Sequence, residues 1–463
     1  MTDWQPDLHH RSGPRYQALA DAITEAIETG TLVPGARLPT HRDLAYRLGV
    51  SVHTVSQAYA EVRRRGEIVG ETGRGTFVQA PRPDNAQQFI MDQGEAGVAD
   101  LSIIRPAIGP IHRAHLREMF ETLATGDGMD TMLACRPIAG MDAHREAGAA
   151  WLARLGVAAS PRHVLITNGI AHAMTVALSA LVEPGDVVLT DTLNDHGVIA
   201  LANVLHFRLQ GLATDTEGIT PAAFEAACQR APVRALVTTP TLNNPTGSLM
   251  GVGRRQEIAA IARRHNVTIV EDDPYSVLVP DAPPPLWAFA PERTCYLTSF
   301  TKTVVSGLRV GYLAAAEPLI HRIVPRVRAT SWMAPPLLAE IASRWLAQGR
   351  IDDMVAWQRK ELARRNARVA ADLQGYNLAS HPHGLHVWLH LPRAWRAAHF
   401  VTQLKLRNIV VTSPEPFVVG SGEAPQAVRL CPGAAGTLNE LANATRVIRG
   451  ILAMGPEPAF LDL

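Results

Sequence analysis

The chain has 463 residues, 47% of them hydrophobic and 19% charged, more than one core usually serves, so at least two domains are expected. A formal net charge of +1 excludes a uniformly basic nucleic-acid binder, and any DNA contact has to come from a local motif. Four cysteines with no CxxC pair, Cys135, Cys228, Cys295 and Cys431, argue against a metal site or a disulfide framework and favour a reducing cytoplasm. The N-terminus lacks an apolar signal region and no run of about 18 apolar residues occurs, so no membrane segment is expected.

Residues 16–29 put Leu19, Ile23 and Ile27 at helical spacing, with Gly30 and Pro34-Gly35 closing the helix. A second helix follows Pro39-Thr40 and ends at Gly49, and Ser51 opens a third with Val55, Ala58, Tyr59 and Val62 on its apolar face. The segment EIVGETGRGTFVQ (67–79) alternates and turns at Gly73-Arg74-Gly75, which predicts a two-stranded wing. From Pro81 to about Ala99 the chain is rich in Pro, Gln, Asp and Gly without a period, as in a linker. Beyond it, apolar runs alternate with helical stretches: 163–167, 186–190, 234–239, 268–273, 294–299 and 310–315 are predicted strands. Most are apolar on both faces, which suits a mainly parallel sheet covered by helices. From about Ala329 a long Arg-rich helical region leads to a smaller unit with predicted strands 384–391, 408–412 and 427–431.

The second helix of a helix-turn-helix enters the major groove, so its N-terminal side chains face base edges. Here these are Ser51, Val52, His53, Thr54 and, one turn on, Gln57. Arg42 in the preceding helix and Gly73-Arg74 at the wing tip are placed to meet phosphates. The string PGARLPTHRDLAYRLGVSVHTVSQAYAEVRRRG, followed by GRGTFV, resembles the GntR family of regulators over its whole winged helix-turn-helix. Val52 departs from the arginine that many relatives carry after the serine, a change expected to shift base preference.

Only three of the 44 Lys+Arg residues are lysine, so a lysine inside a motif is there for its amine, which a guanidinium does not replace in a Schiff base. Lys302 is such a residue, in LTSFTKTVVSGLRVGY (297–312), with Ser299, Thr301 and Arg309 around it. An aldehyde and a phosphate on one cofactor call for these two sets: an amine, and hydroxyls with a guanidinium. TNGIAHAM (167–174) adds a glycine loop opening a helix, where the N–H groups of Gly169, Ile170 and Ala171 suit phosphate oxygens. Asp272, in EDDPY, offers a carboxylate to a pyridinium nitrogen, and Asn244, in NNPTG, and Tyr275 offer hydrogen bonds to a ring hydroxyl.

In this order the motifs resemble the fold-type I pyridoxal-phosphate enzymes of the aspartate aminotransferase superfamily, and the fused whole resembles the MocR subfamily of GntR regulators. The resemblance implies an all-α winged-helix N-terminal domain plus an α/β fold-type I transferase-like domain with a large, mainly parallel sheet and a smaller C-terminal part. It divides the chain into a DNA-binding domain (1–80), a linker (81–99) and an effector domain (100–463), with a large part of about 100–328 and a small part of about 329–463. Pyridoxal 5'-phosphate is the implied cofactor, with Lys302 carrying the internal aldimine, Asp272 pairing with the pyridine nitrogen, and Arg429, in VRLCPGA, binding a ligand carboxylate. The chain departs from the pattern where a tyrosine stacks on the ring, which is Asp195 here with His196 beside it, and where a partner-subunit tyrosine reaches the phosphate, which is Cys135 here.

The function expected is that of a cytoplasmic, homodimeric regulator that binds a double-stranded DNA operator and senses an amino compound by aldimine exchange at Lys302. A working aminotransferase with an appended winged helix is the alternative, and a DNA-binding scaffold that has lost the cofactor is a third.

Overall fold

The computed structural model describes residues 14–28, 31–33, 35–64, 67–71, 75–78, 97–125, 133, 135, 137–420 and 422–456, together with Trp4 and Pro6. The chain divides into two compact units, Met1–Gln93 and Gly94–Leu463.

In the first unit α1 (Arg15–Glu28), α2 (His41–Leu48) and α3 (Val52–Arg64) precede an antiparallel pair, β1 (Ile68–Glu71) and β2 (Gly75–Val78). Helical spacing on each helix delivers Leu19, Ile23, Leu44, Val55, Ala58, Tyr59 and Val62 to one core, which Ile68 and Val78 of the wing close. The Thr40 hydroxyl accepts from Asp43 N–H at the start of α2, and Gly49 ends it in the left-handed region (φ 63°). Tyr59 OH donates to Pro39 O at 2.9 Å, fixing α3 against the entry to α2. Of the expected wing turn Gly73-Arg74-Gly75, Gly73 and Arg74 lie outside the described residues and Gly75 begins β2.

The second unit is built on a seven-stranded sheet in the order β4 (Val164–Thr167), β12 (Gly311–Ala314), β11 (Thr294–Ser299), β10 (Thr268–Asp272), β9 (Ala235–Thr238), β5 (Val187–Asp191) and β6 (Arg208–Leu212). The run β11 to β6 is parallel, and β12 alone is antiparallel to both its neighbours. Six of these strands thus correspond to predicted stretches within a residue or two at each end; β6 was not among them. Helices cover both faces, which explains why β4, β5, β9 and β11 are buried at every residue. A short hairpin, β7 (Thr214–Asp215) with β8 (Gly218–Ile219), lies outside this sheet.

The smaller sheet pairs β13 (Asn377–Ala379), β14 (Val387–His390) and β16 (Ala427–Leu430) antiparallel, under helices that include Arg350–Asp372 and Leu438–Met454. The predicted strand 408–412 shrinks to β15 (Ile409–Val410) with a single bridge at Thr412, because Asn408 takes a positive φ of 58° and breaks the extension. Its partner is β3 (Ala99–Asp100), parallel to it, so Ala99 is sheet rather than the last residue of a linker. Leu101 belongs to the core of this smaller part, although the chain order had assigned it to the large one.

Candidate functional site

Two regions carry the chemistry. In the first unit, Ser51 caps α3: its Oγ accepts from Thr54 N–H at 3.0 Å and lies 2.8 Å from Thr54 Oγ1. Val52, His53 and Gln57 are exposed and Thr54 is half-buried, so the helix start presents the expected side chains to solvent rather than to the core. Arg42 is exposed on α2, whereas Arg47 is tied to Asp43 at 2.9 Å. Gly73 and Arg74 lie outside the described residues.

The second region lies at the C-terminal edge of the large sheet, where open α/β folds bind their ligands. β11 ends at Ser299 and hands the chain to Thr301 and Lys302; β10 ends at Asp272; β4 ends at Thr167 and opens the helix Gly169–Leu181. Gly169 has φ 75°, and a Cβ there would sit 3.2 Å from the Arg309 guanidinium and 3.5 Å from Thr301 Oγ1. Glycine therefore lets a helix N-terminus, a hydroxyl and a guanidinium converge. Ile170 and Ala171 follow on that first turn. Ser299 Oγ, Thr301 Oγ1 and Asn168 Oδ1 are buried there without a hydrogen-bond partner.

Asp272 sits next along the edge. Its Oδ2 accepts from Thr239 Oγ1 at 3.2 Å, while Oδ1 is buried without a partner. Burial, with the nearby Asp195 charge adding to it, pushes the Asp272 carboxyl up to about 7. The acidic run EDD alternates as a strand should. Glu271 turns away to accept the N–H groups of Leu286 and Trp287 at 2.8 and 3.0 Å, and Asp273 accepts from Tyr296 OH at 2.7 Å and from Ser276 N–H at 2.9 Å. These bonds hold the loop that presents Tyr275, which is buried and whose hydroxyl burial pushes well above its ordinary value.

Lys302 Nζ is 2.9 Å from Ile104 O, to which it donates. Burial lowers the ammonium's pKa, the Asp195 charge works against that, and Arg429 adds to the lowering. Arg429, in β16, is only 4% exposed. It donates through Nη1 to Asn244 Oδ1 at 2.7 Å and through Nη2 to Ser102 O and to Thr412 Oγ1. Phe417 lies under it at 4.8 Å, and its Nε is buried with no partner. No direct ion pair of Arg429 with a carboxylate occurs among the described residues. A guanidinium so placed is costly until an anion reaches it.

Asn244 also donates through Nδ2 to Asp195 Oδ2 at 2.8 Å, so Asp195, Asn244 and Arg429 form one chain. The Oδ1 of Asp195 caps the helix His196–Leu205 by accepting from Gly197 N–H at 2.8 Å. Burial works to raise the Asp195 pKa, but His196, the Gly197 N–H, Lys302 and Arg429 together hold it below the usual value. The structure thus brings Lys302, Asp272, Tyr275, Asn244, Arg429 and the Gly169 turn to one edge. Cys135, by contrast, is exposed, its carbonyl accepting from Trp332 Nε1 at 2.8 Å.

Sequence reasoning missed several participants. Ser102 and Ile104 act through backbone carbonyls, which carry no side-chain signal. Thr239 and Thr412 are ordinary strand-end threonines. His386, buried 6.0 Å from the Tyr275 ring with Nε2 at 2.9 Å from Asn243 O, is held neutral by burial, which lowers its pKa to about 4.

The unpaired donors and acceptors fit pyridoxal 5'-phosphate: the Ser299 and Thr301 hydroxyls with the Gly169 turn suit its phosphate and Asp272 Oδ1 its ring nitrogen, while the Lys302 amine suits its aldehyde. Among known proteins, the family signature of aminotransferase class I and II matches residues 119–448, and that of bacterial regulatory proteins of the gntR family matches residues 15–78. The HTH-type transcriptional regulator YdeF of Bacillus subtilis (strain 168) is 27% identical over 97% of this chain and 96% of its own length. The HTH-type transcriptional regulator YjiR of Escherichia coli (strain K12) is 30% identical over 66% of this chain and 71% of its own. The crystal structure of an archaeal alanine:glyoxylate aminotransferase superposes with a TM-score of 0.72 at 21% identity, covering 80% of this chain and 93% of that one. No helix among the described residues is long and apolar enough to cross a membrane. The chain therefore belongs to the aminotransferase class I and II family and, with its gntR-type DNA-binding domain, is a transcriptional regulator of the MocR arrangement whose aminotransferase-like fold takes pyridoxal 5'-phosphate.

Proposed function

We propose that this regulator binds a double-stranded operator through Arg42, Ser51, Val52, His53, Thr54 and Gln57, with the wing residues Gly73 and Arg74, and changes its grip when an amino compound bearing a carboxylate reaches Lys302. The observation that carries the reading is the convergence of the half-buried Lys302 amine and the buried Arg429 guanidinium beside polar atoms that lack partners.

Bound pyridoxal 5'-phosphate supplies an electrophilic carbon that reacts reversibly with primary amines. Lys302 holds that carbon through its nitrogen, and burial favours the neutral amine that does so. Asp272 pairs with the ring nitrogen, whose charge favours the ionised carboxylate where burial and the Asp195 charge push its pKa up to about 7. Asn244 and Tyr275 orient the ring hydroxyl. Ser299, Thr301, Arg309 and the N–H groups of Gly169, Ile170 and Ala171 bind the phosphate. Arg429 takes the carboxylate of the incoming compound and so selects amino acids or related zwitterions over simple amines.

The proposed division is a DNA-binding domain (1–80), a linker (81–99) and an effector domain (100–463), acting as a cytoplasmic homodimer whose two reading helices match two half-sites. A ligand alters operator affinity only if it favours one of two conformations. The test is an absorbance titration of the full chain, loaded with pyridoxal phosphate, against a panel of amines and amino acids, with operator affinity measured in parallel. The reading expects at least one carboxylate-bearing amine to change both signals; spectral change with operator affinity constant for every compound contradicts it.

A further inference from the structure

We infer that residues 99–105 form a latch that reports the state of Lys302 to the chain leading toward the DNA-binding domain. The inference rests on the reading of Lys302 as the point where an amino compound acts.

The segment is stitched to the smaller part of the effector unit along its length. Ala99 N–H donates to Asn408 O and Leu101 N–H to Val410 O, both at 2.8 Å, while Leu101 O accepts from Cys431 N–H at 2.9 Å. Ser102 O accepts from Thr412 Oγ1 at 2.9 Å and from Arg429 Nη2, and Arg105 Nη2 donates to Ala434 O at 2.6 Å. Gly433 leaves the strap no slack, since a Cβ there would lie 2.7 Å from Arg105 O. Against this, Ile104 O accepts from Lys302 Nζ, which hangs from the end of β11 in the large sheet. One backbone segment therefore joins the two parts of the unit through the same two cations that meet the ligand.

The chemistry of nitrogen makes the contact conditional. A free lysine amine has hydrogens to give Ile104 O, whereas a lysine nitrogen engaged by a carbonyl carbon keeps at most one. A buried carbonyl that loses its donor is destabilised, so engaging Lys302 loosens Ile104, and freeing Lys302 pins it. An arriving carboxylate adds a second effect, because it competes with Ser102 O for Arg429. The strap runs N-terminally through β3 to Gly97, and the chain then connects to Val78 of the wing. Changes at Ile104 and Ser102 thus fall on the covalent path to the DNA-binding domain. Side chains that merely touch the ligand do not share this position.

Hydrogen exchange of the full chain tests the latch without any effector. Four samples are compared: cofactor-free wild type, wild type loaded with pyridoxal phosphate, and cofactor-free Lys302→Ala and Lys302→Met, the second keeping the bulk of the side chain. Peptides spanning 99–105 are expected to exchange about tenfold faster in the loaded protein and in both variants than in cofactor-free wild type. Peptides from the helix Arg350–Asp372 serve as the folding control and should not change. Equal strap exchange in all four samples, with the control unchanged, overturns the latch. Faster strap exchange in the variants with operator affinity equal to that of cofactor-free wild type overturns its role in transmission. If amino compounds fail to alter operator affinity while the strap still responds to Lys302, the sensing reading fails and the latch stands as a structural coupling.

Discussion

The reading helix and the cofactor edge place their functional side chains in opposite environments. On α3, Val52, His53 and Gln57 stand in solvent, and the polar work of the helix start is local capping by Ser51. At the sheet edge, Tyr275, Asn244 and Arg429 are buried and Asp272 half-buried; Asp272, Asn244 and Arg429 bond to protein neighbours, while Asp272 Oδ1 and Arg429 Nε have no partner. An exposed reader keeps its fold whatever its side chains are, so substitutions there separate recognition from stability. A buried site mixes the two, because polar atoms such as Asp272 Oδ1 and Arg429 Nε, which have no protein partner, cost the folded state until a ligand meets them.

The largest effect that sharpens this contrast comes from Asp272. Its folded pKa of about 7 lies above the ordinary value of 3.8, so without cofactor the group costs stability progressively as pH rises from about 4 through about 7. Pairing with the ring nitrogen removes that cost, so the rise in melting temperature on adding pyridoxal phosphate should grow between pH 5 and 8. In Asp272→Asn the growth should disappear and affinity should fall by about 1.5–3 kcal/mol, the worth of a hydrogen bond to a charged group. Thermal shifts at several pH values, with and without cofactor, check both signs.

Gln57→Ala tests the exposed side of the comparison. Loss of a base contact should weaken operator binding by about 1–3 kcal/mol, with the melting temperature unchanged because nothing in the core is touched. A comparable loss of stability would mean that the reading face is not independent of the fold. The smallest effect is expected at Asp195→Tyr. A ring over the cofactor adds about 0.5–1.5 kcal/mol of affinity, while losing the Gly197 cap costs about 1 kcal/mol of stability. Tighter cofactor binding in a less stable protein, read by equilibrium dialysis and melting, is the outcome expected.

The two regions were also unequally legible in the sequence. Helix spacing, Thr40 and Ser51 caps and Gly49 define the helix-turn-helix from local rules, because a small module is built mostly of near neighbours. The sheet strands were legible for a different reason: full burial leaves apolar runs of strand length. What escaped was long-range and backbone-borne. Nothing in LSIIRP marks Ser102 and Ile104 as acceptors for side chains 327 and 198 residues away. Asp195 read as a missing ring, and only the fold shows it capping a helix while linking Asn244 to Arg429. β6 went unnoticed because its exposed and half-buried edge residues, RLQG, break the apolar pattern.

Operator affinity of the full chain, loaded with pyridoxal phosphate and measured with and without a saturating carboxylate-bearing amine, in wild type and in Lys302→Ala, tests the central claim most directly. The account predicts a ligand-dependent change in wild type and none in Lys302→Ala, with both proteins still binding the operator. A ligand response that persists undiminished in Lys302→Ala would contradict it.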